Sequence, residues 1–244
     1  SLGKMKEKAA TTSLIESIKD PDKEVRCAAI TAVGELQEPL AVDALIDCLK
    51  EEDKTIRKTS AKVLPMIKDP VAIPAFQKAL KDENKEVRRC VAEALEILGH
   101  KQIVPSLLEA LKDEDTEVRR IVARTLAELG EKSAIPDLIK ALDDNDSEVR
   151  VIITKTLAKL GDKQACPAIL KLLSDTREEL RSAAAEALSC VGDKEAVAEL
   201  IRILKDPVVD VRGYAARALG KLGDRIAIPA LIECLKDENN FVTS

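Results

Sequence analysis

The chain has 244 residues, 45% of them hydrophobic and 34% charged, with a formal net charge of −5, so it can bury a core, and its acidic balance argues against a generic nucleic-acid binder. Aromatic residues make up 1% and Trp is absent, which argues against a sandwich, a barrel or an aromatic-lined pocket. No apolar run approaches the ~18 residues of a membrane span, and no secretory leader is legible. The six Cys contain no CxxC pair, the shortest spacing being 48 − 27 = 21 residues; they read as reduced thiols of a cytoplasmic protein.

Residues 1–19 read as a first helix, with Leu14, Ile15 and Ile18 at helical spacing. The chain opens Ser1-Leu2-Gly3-Lys4, with Met only at position 5, as a tag remnant or an excised fragment would. Asp20-Pro21-Asp22 turns into a second helix from Lys23 to about Leu36. Inside it lies Val25-Arg26, the first of a series: Ile56-Arg57, Val87-Arg88, Val118-Arg119, Val149-Arg150, Leu180-Arg181 and Val211-Arg212 follow at a constant step (56 − 25 = 31). A spacing that never slips is a tandem repeat, and repeats of this length stack helical hairpins side by side.

Glu131–Gly161 shows the plan of one unit. Helix A is predicted from about Glu131 to Leu142, with Ala134, Ile135, Leu138, Ile139 and Leu142 on its apolar face. Asp143-Asp144-Asn145-Asp146 makes the turn, Asp146 caps helix B, and Glu148 faces the positive end of that helix. Helix B buries Val149, Ile153, Leu157 and Leu160 and stops at Gly161, where a left-handed residue is expected; Gly99, Gly130, Gly192 and Gly223 take the same place in other units. Pro74, Pro105, Pro136, Pro167 and Pro229 fall early in helix A, where a missing amide costs little.

Two units depart from this plan. Repeat one has Gln37-Glu38-Pro39 where Gly is expected, and repeat two has Lys68-Asp69-Pro70 there and Pro65 inside helix B. Pro65 predicts a shortened or kinked helix over Lys62–Ile67 and a local change of superhelical twist. The eighth unit, residues 225–244, has a complete helix A (Ile228, Leu231, Ile232, Leu235) but breaks off after Phe241-Val242-Thr243-Ser244, which points to an excerpt of a longer protein.

The pattern carried by Gly161-Asp162, Pro167, Leu172, Asp175, Arg181, Ala184, Ala187 and Leu188, and resumed at Gly192-Asp193, resembles the short HEAT-like repeats of the phycocyanobilin-lyase type. The resemblance covers nearly the whole chain. It implies an all-α, right-handed α–α superhelix over residues 1–244, a single solenoid of seven helix pairs and a truncated eighth. Members of that family include bilin lyases and many scaffolds, so the resemblance is informative about fold and much less so about function.

Two rows run through the repeats. Arg26, Arg57, Arg88, Arg119, Arg150, Arg181 and Arg212 form one; Asp20, Glu51, Asp82, Asp113, Asp144, Asp175, Asp206 and Asp237 form the other. A guanidinium can bridge a turn carboxylate and carbonyls at once, so these rows read as a structural ladder between units. The residue after each Arg, and the one four further on, face away from the core. They give the rows Cys27, Lys58, Arg89, Arg120, Val151, Ser182, Gly213 and Thr31, Lys62, Glu93, Arg124, Lys155, Glu186, Arg217. In folds of the kind resembled, helix B lines the concave surface. Lys58, Lys62, Arg89, Arg120, Arg124, Lys155 and Lys159 would then form a basic ridge there, with helices roughly 8–10 Å apart.

Catalysis finds no support. His100 is the one His and is followed by Lys101, so the paired His-Glu ligands of HEAT-like iron hydroxylases are missing; no phosphate loop or nucleophile elbow is present, and the carboxylates fall in turns and caps. No metal site and no cofactor is expected. The sequence therefore reads as a non-enzymatic scaffold holding a protein partner with an acidic segment on the helix-B surface. Nucleic-acid binding through the ridge is the alternative, weakened by Glu93, Glu128 and the scarcity of aromatics for stacking. A bilin-lyase-like subunit is the third reading.

Overall fold

Each second helix of a pair starts where a short polar side chain folds back on the chain. Asp22 accepts the amides of Glu24 and Val25, Asp53 that of Thr55, and Asn84 those of Glu86 and Val87. Asp115 and Asp146 accept the amides of Val118 and Val149 at 3.2 and 3.0 Å. These caps satisfy amides that the helix itself leaves open. The computed structural model describes residues 2–236 and Val242, with the backbone alone for residues 2–9. Asp237, Phe241, Thr243 and Ser244 lie outside the described residues.

The described residues are all-α, with fifteen α-helices and no strand. None of these helices is long and apolar enough to cross a membrane. The chain divides into two compact units, residues 1–125 and 126–244. In the first, α1 (Leu2–Ser17), α3 (Val42–Cys48), α5 (Ile73–Ala79) and α7 (Val104–Ala110) are A helices; α2 (Lys23–Glu35), α4 (Lys54–Ile67), α6 (Lys85–Leu98) and the start of α8 (Thr116–Leu129) are B helices. Helix α4 packs between α2 and α6, with α3 and α5 lying against α4 and α6 respectively. The core is made where these meet, at Ile30, Leu45, Ile56, Leu64, Ile73, Phe76, Leu95 and Leu107, each fully buried.

The second unit repeats the scheme. Its A helices are α9 (Ile135–Ala141), α11 (Cys166–Leu172), α13 (Val197–Ile203) and α15 (Ile228–Cys234); its B helices after α8 are α10 (Ser147–Leu160), α12 (Glu178–Val191) and α14 (Val209–Leu222). Helix α12 packs between α10 and α14, and α9, α11 and α13 each pack against the helix that follows. Val149, Ile153, Leu157, Leu180, Leu188, Val211 and Leu219 form the inner stripe of the B helices and are buried.

Helix A is not the continuous element predicted over Glu131–Leu142. It opens with a 3-10 turn, Lys132–Ala134, and only then becomes α-helical at Ile135. The same step recurs at Pro70–Ala72 and Lys163–Ala165, where Asp69 and Asp162 accept the amides of Val71 and Gln164. Pro74, Pro105, Pro136, Pro167 and Pro229 occupy the second position of the α-helical part. An amide there has no partner within the helix, so proline fixes the junction without loss.

Pro65 does not shorten its helix. Helix α4 has 14 residues, as many as α6, and Pro65 is buried within its last turn. Lys68 then takes the left-handed conformation at φ 59°, as Gln37 does at φ 51° in the first repeat, in place of the glycine used elsewhere. Gly192 departs the other way. It is extended, at φ −63° and ψ 155°, so it does not supply a left-handed turn; a Cβ on it would run into the carbonyl oxygen of Leu188, and close approach is what requires glycine there.

The cap is missing from the last two B helices, where Arg177 and Val208 hold the N-cap position without a side-chain bond. Arg177 instead reaches Asp175 at 3.0 Å. Asp175 is also the acceptor for Arg150, whose Nε and Nη2 are buried without a partner. Arg177→Asn would restore the cap and release Asp175 to Arg150. The expected result is stabilisation by about 1 kcal/mol, read as a higher urea midpoint at unchanged slope.

Candidate protein-interaction surface

The conserved-spacing arginines point inward at the turns. Arg57 donates from Nε and Nη2 to the two carboxylate oxygens of Asp82 at 2.7 and 3.0 Å, and from Nη1 to the carbonyls of Glu51 and Glu52 at 2.8 and 2.6 Å. Arg88 holds Asp113 in the same way at 2.7 and 3.0 Å, with the carbonyls of Asp82 and Glu83 at 2.8 and 3.2 Å. Arg181 holds Asp206 at 2.8 and 3.1 Å. Burial works to raise the Asp206 carboxyl, but Arg181 and the Val208 amide together hold it below the usual carboxylate range. Arg119 and Arg212 bond the carbonyls of their own turns, those of Asp113 and Asp206, at 2.8 and 3.0 Å. The set is graded: Arg26 reaches the Asp20 carbonyl at 3.0 Å but Glu51 only at 3.8 Å, and Arg150 makes one bond to Asp175 at 3.1 Å. Each complete clamp ties a B helix to its own turn and to the turn of the next repeat.

The outward positions of the B helices carry the ridge residues, and most of them are engaged by the chain's own carboxylates. In the first unit Lys58 lies 3.5 Å from Glu86. Arg89 makes a two-pronged pair with Asp115 at 2.8 and 2.6 Å and a further contact with Glu86 at 3.1 Å. The Arg89 guanidinium, with the Val118 amide, pulls the Asp115 carboxyl down to about 2. Arg120 lies 3.8 Å from Glu117, and the exposed Arg124 lies 3.5 Å from Glu96. Lys62 is exposed and makes no ion pair among the described residues. In the second unit Lys159 lies 3.9 Å from Glu128, and Lys155 is exposed on the wall of a depression. Lys62, Arg124, Lys155 and Lys159 are therefore the ridge members that face solvent, while Lys58, Arg89 and Arg120 are half-buried in local pairs.

The depression, about 430 Å³, opens between α10, α12 and α14. Its floor includes Val151, Ser182 and Ala183; Glu178, Glu179, Glu186 and Asp210 stand around it, and Tyr214 closes one side. Tyr214 is half-buried, with the Arg217 guanidinium 5.6 Å from its ring centre, so it serves both as packing and as a wall. Glu178, Glu179 and Asp210 were not singled out from sequence. The signal was present in the outward row, where Lys58, Arg89 and Arg120 give way to Val151, Ser182 and Gly213.

No group of His, Cys, Asp and Glu able to hold a metal ion occurs among the described residues. His100 is exposed at the start of a 3-10 turn and makes no capping bond. Burial pushes the Cys48 thiol up to about 11, and it raises Cys90 and Cys166 as well, which disfavours the nucleophilic thiolate.

This arrangement agrees with known proteins at the level of fold. A similar solved structure is Escherichia coli YibA, at 23% identity and a TM-score of 0.66, covering 95% of this chain and 89% of that one. Another is an engineered protein, at 23% identity and a TM-score of 0.63, covering 94% and 75%. A third is the complex of CpcE and CpcF of phycocyanin lyase from Nostoc sp., at 22% identity and a TM-score of 0.53, covering 91% and 92%. No curated protein matches the chain in sequence. The family model for HEAT repeats matches residues 1–64, 42–114, 104–189 and 167–244, and the chain therefore belongs to the HEAT-repeat family.

Proposed function

We propose that the chain is a non-enzymatic scaffold that holds a protein partner on the outward face of its B helices. The observation that carries this reading is the division of labour on those helices. Their inner stripes and the Arg–Asp clamps are buried and repeat from unit to unit, while the outward positions are exposed and change: Lys62, Glu93 and Arg124 in one row, Lys155, Glu186 and Arg217 in its continuation. In a repeat protein, stability comes from the repeated interfaces, which leaves such a face free to be shaped by a partner. The solvent-facing cations Lys62, Arg124, Lys155 and Lys159 supply contacts for an acidic segment. The pairing of Lys58, Arg89 and Arg120 with local carboxylates removes most of the charge a phosphate track would need. The likeness to CpcE and CpcF is one of fold, and a bilin-attaching role has less support because Tyr214 is the one ring on the depression.

The test is anisotropy of a labelled acidic peptide and of a labelled single-stranded oligonucleotide, each at two salt concentrations, with the native chain and with Lys62→Glu/Arg124→Glu. Binding of the peptide that drops about tenfold in the variant supports the scaffold reading. Steep, salt-sensitive binding of the oligonucleotide, lost in the same variant, would replace it with nucleic-acid recognition.

A further inference from the structure

The depression on the second unit is lined by positions whose sequence equivalents in the first unit carry cations. In the first unit, Glu86 is held by Lys58 from the preceding helix at 3.5 Å and by Arg89 from its own helix at 3.1 Å, and Arg89 also clamps Asp115. Three repeats further on, the same positions read Glu179 for Glu86, Val151 for Lys58, Ser182 for Arg89 and Val208 for Asp115. The next position along behaves alike: Glu117 faces Arg120 at 3.8 Å, whereas Asp210, its counterpart, has Gly213 in place of that arginine. Of the three carboxylates two are kept, Glu179 and Asp210, while all three cations have been removed.

The structure shows what remains. Val151, Ser182, Glu179, Val208 and Asp210 all line the depression. Glu178, Glu179, Glu186 and Asp210 make no ion pair among the described residues. Lys155 is the one cation on the wall, against four carboxylates. Glu178 adds to the contrast, because the equivalent positions in the first unit are Lys23, Lys54, Lys85 and Thr116, none of them acidic. The first unit thus serves as an internal template for the missing ligand: an Arg or Lys side chain, seated over small residues and pairing with a carboxylate from each of two neighbouring helices. Tyr214 offers the edge or face of a ring to the same cation.

We propose that this depression receives the guanidinium or ammonium group of a basic segment in a protein partner, completing in trans the pairs that Lys58, Arg89 and Arg120 complete in cis. The proposal rests on the reading that the outward B-helix face holds protein segments, and it names the chemistry of one of them. An Arg is favoured over a Lys in this role because its planar fork presents several donors at once to a carboxylate-lined site.

The experiment is anisotropy of a labelled hexa-arginine peptide titrated with the full chain at low and physiological salt. Three variants accompany it. Glu179→Gln/Asp210→Asn removes the acceptors. Ser182→Arg restores the side chain found at Arg89 and fills the depression from within, at a helix position that already carries arginine in the first unit. Asp143→Asn/Glu195→Gln removes the same charge from exposed turns of the second unit and leaves the depression intact. Binding that weakens about tenfold in each of the first two variants, and less than about twofold in the third, supports the proposal. Equal binding in all four proteins, or an equal loss in the third variant, overturns it. Neither outcome touches the test with Lys62→Glu/Arg124→Glu and an acidic peptide, so failure of this site is distinguishable from failure of the scaffold reading.

Discussion

Replacing Arg88 with Ala is expected to destabilise the chain by about 3–5 kcal/mol. The substitution leaves the Asp113 carboxylate, 9% exposed, without its two-pronged donor, and it strips the Asp82 and Glu83 carbonyls of theirs. Breaking one side of a buried pair costs more than the pair is worth, because the remaining charge stays out of water. Arg88→Ala/Asp113→Ala should therefore recover part of the loss. Arg26→Ala provides the contrast. Its carboxylate contact is 3.8 Å and Glu51 is 41% exposed, so less than about 1 kcal/mol is expected. Urea unfolding of the three variants beside the native chain measures all of these. Equal losses for Arg88→Ala and Arg26→Ala would contradict the graded clamp geometry.

The same substitution, Gly to Ala, is expected to have opposite signs at two helix-interior positions. Ala is the better helix former by about 1 kcal/mol, so propensity alone favours the change at both. At Gly220, on the exposed side of α14, an added Cβ meets nothing within 4 Å, and Gly220→Ala should stabilise by about 0.5–1 kcal/mol. At Gly34, in α2, the same atom would sit 2.5 Å from the Cβ of Val63 in α4. Val63 cannot give way by turning its side chain, because the clashing atom is attached directly to its backbone. The two helices must move apart, and Gly34→Ala should cost about 1–3 kcal/mol net. Gly34→Ala/Val63→Gly separates the crowding from any other cause: if crowding is the reason, the penalty of adding the methyl falls once the Val63 Cβ is removed.

What the sequence reveals about this molecule depends on the range of the interaction concerned. The repeat, its helix pairs and their buried stripes were legible because each is written within one unit and then copied: Val149, Ile153, Leu157 and Leu160 define a face, and the constant step sets its length. The 3-10 start of helix A was not legible, since three residues cannot distinguish one hydrogen-bonding period from the next. The shortening expected from Pro65 does not occur: α4 keeps its full length and ends at Lys68 in the left-handed conformation. The basic ridge was read from cations alone. Many of its partners lie on neighbouring repeats, ahead for Lys58 (Glu86) and Arg89 (Asp115) and behind for Arg124 (Glu96), and a row of like charges becomes a row of pairs when neighbouring helices are set side by side. The acidic depression was hidden for the complementary reason: it is made by side chains that are small, and small residues draw attention only against the longer ones they replace.

The clamps also bear on how such a chain can change its length. Arg57 finds Asp82 and Arg88 finds Asp113, each 25 residues ahead. Excising residues 58–88 would join Arg57 to Arg89 and bring Asp113 to the distance that Asp82 had held. A cut of one whole period therefore rejoins a working lock to a working key, whereas a cut one residue longer or shorter would turn the following helix by about 100° and separate them. Gain or loss of material in this protein is thus quantised by the arginine: only a whole period keeps each clamp in register with its carboxylate.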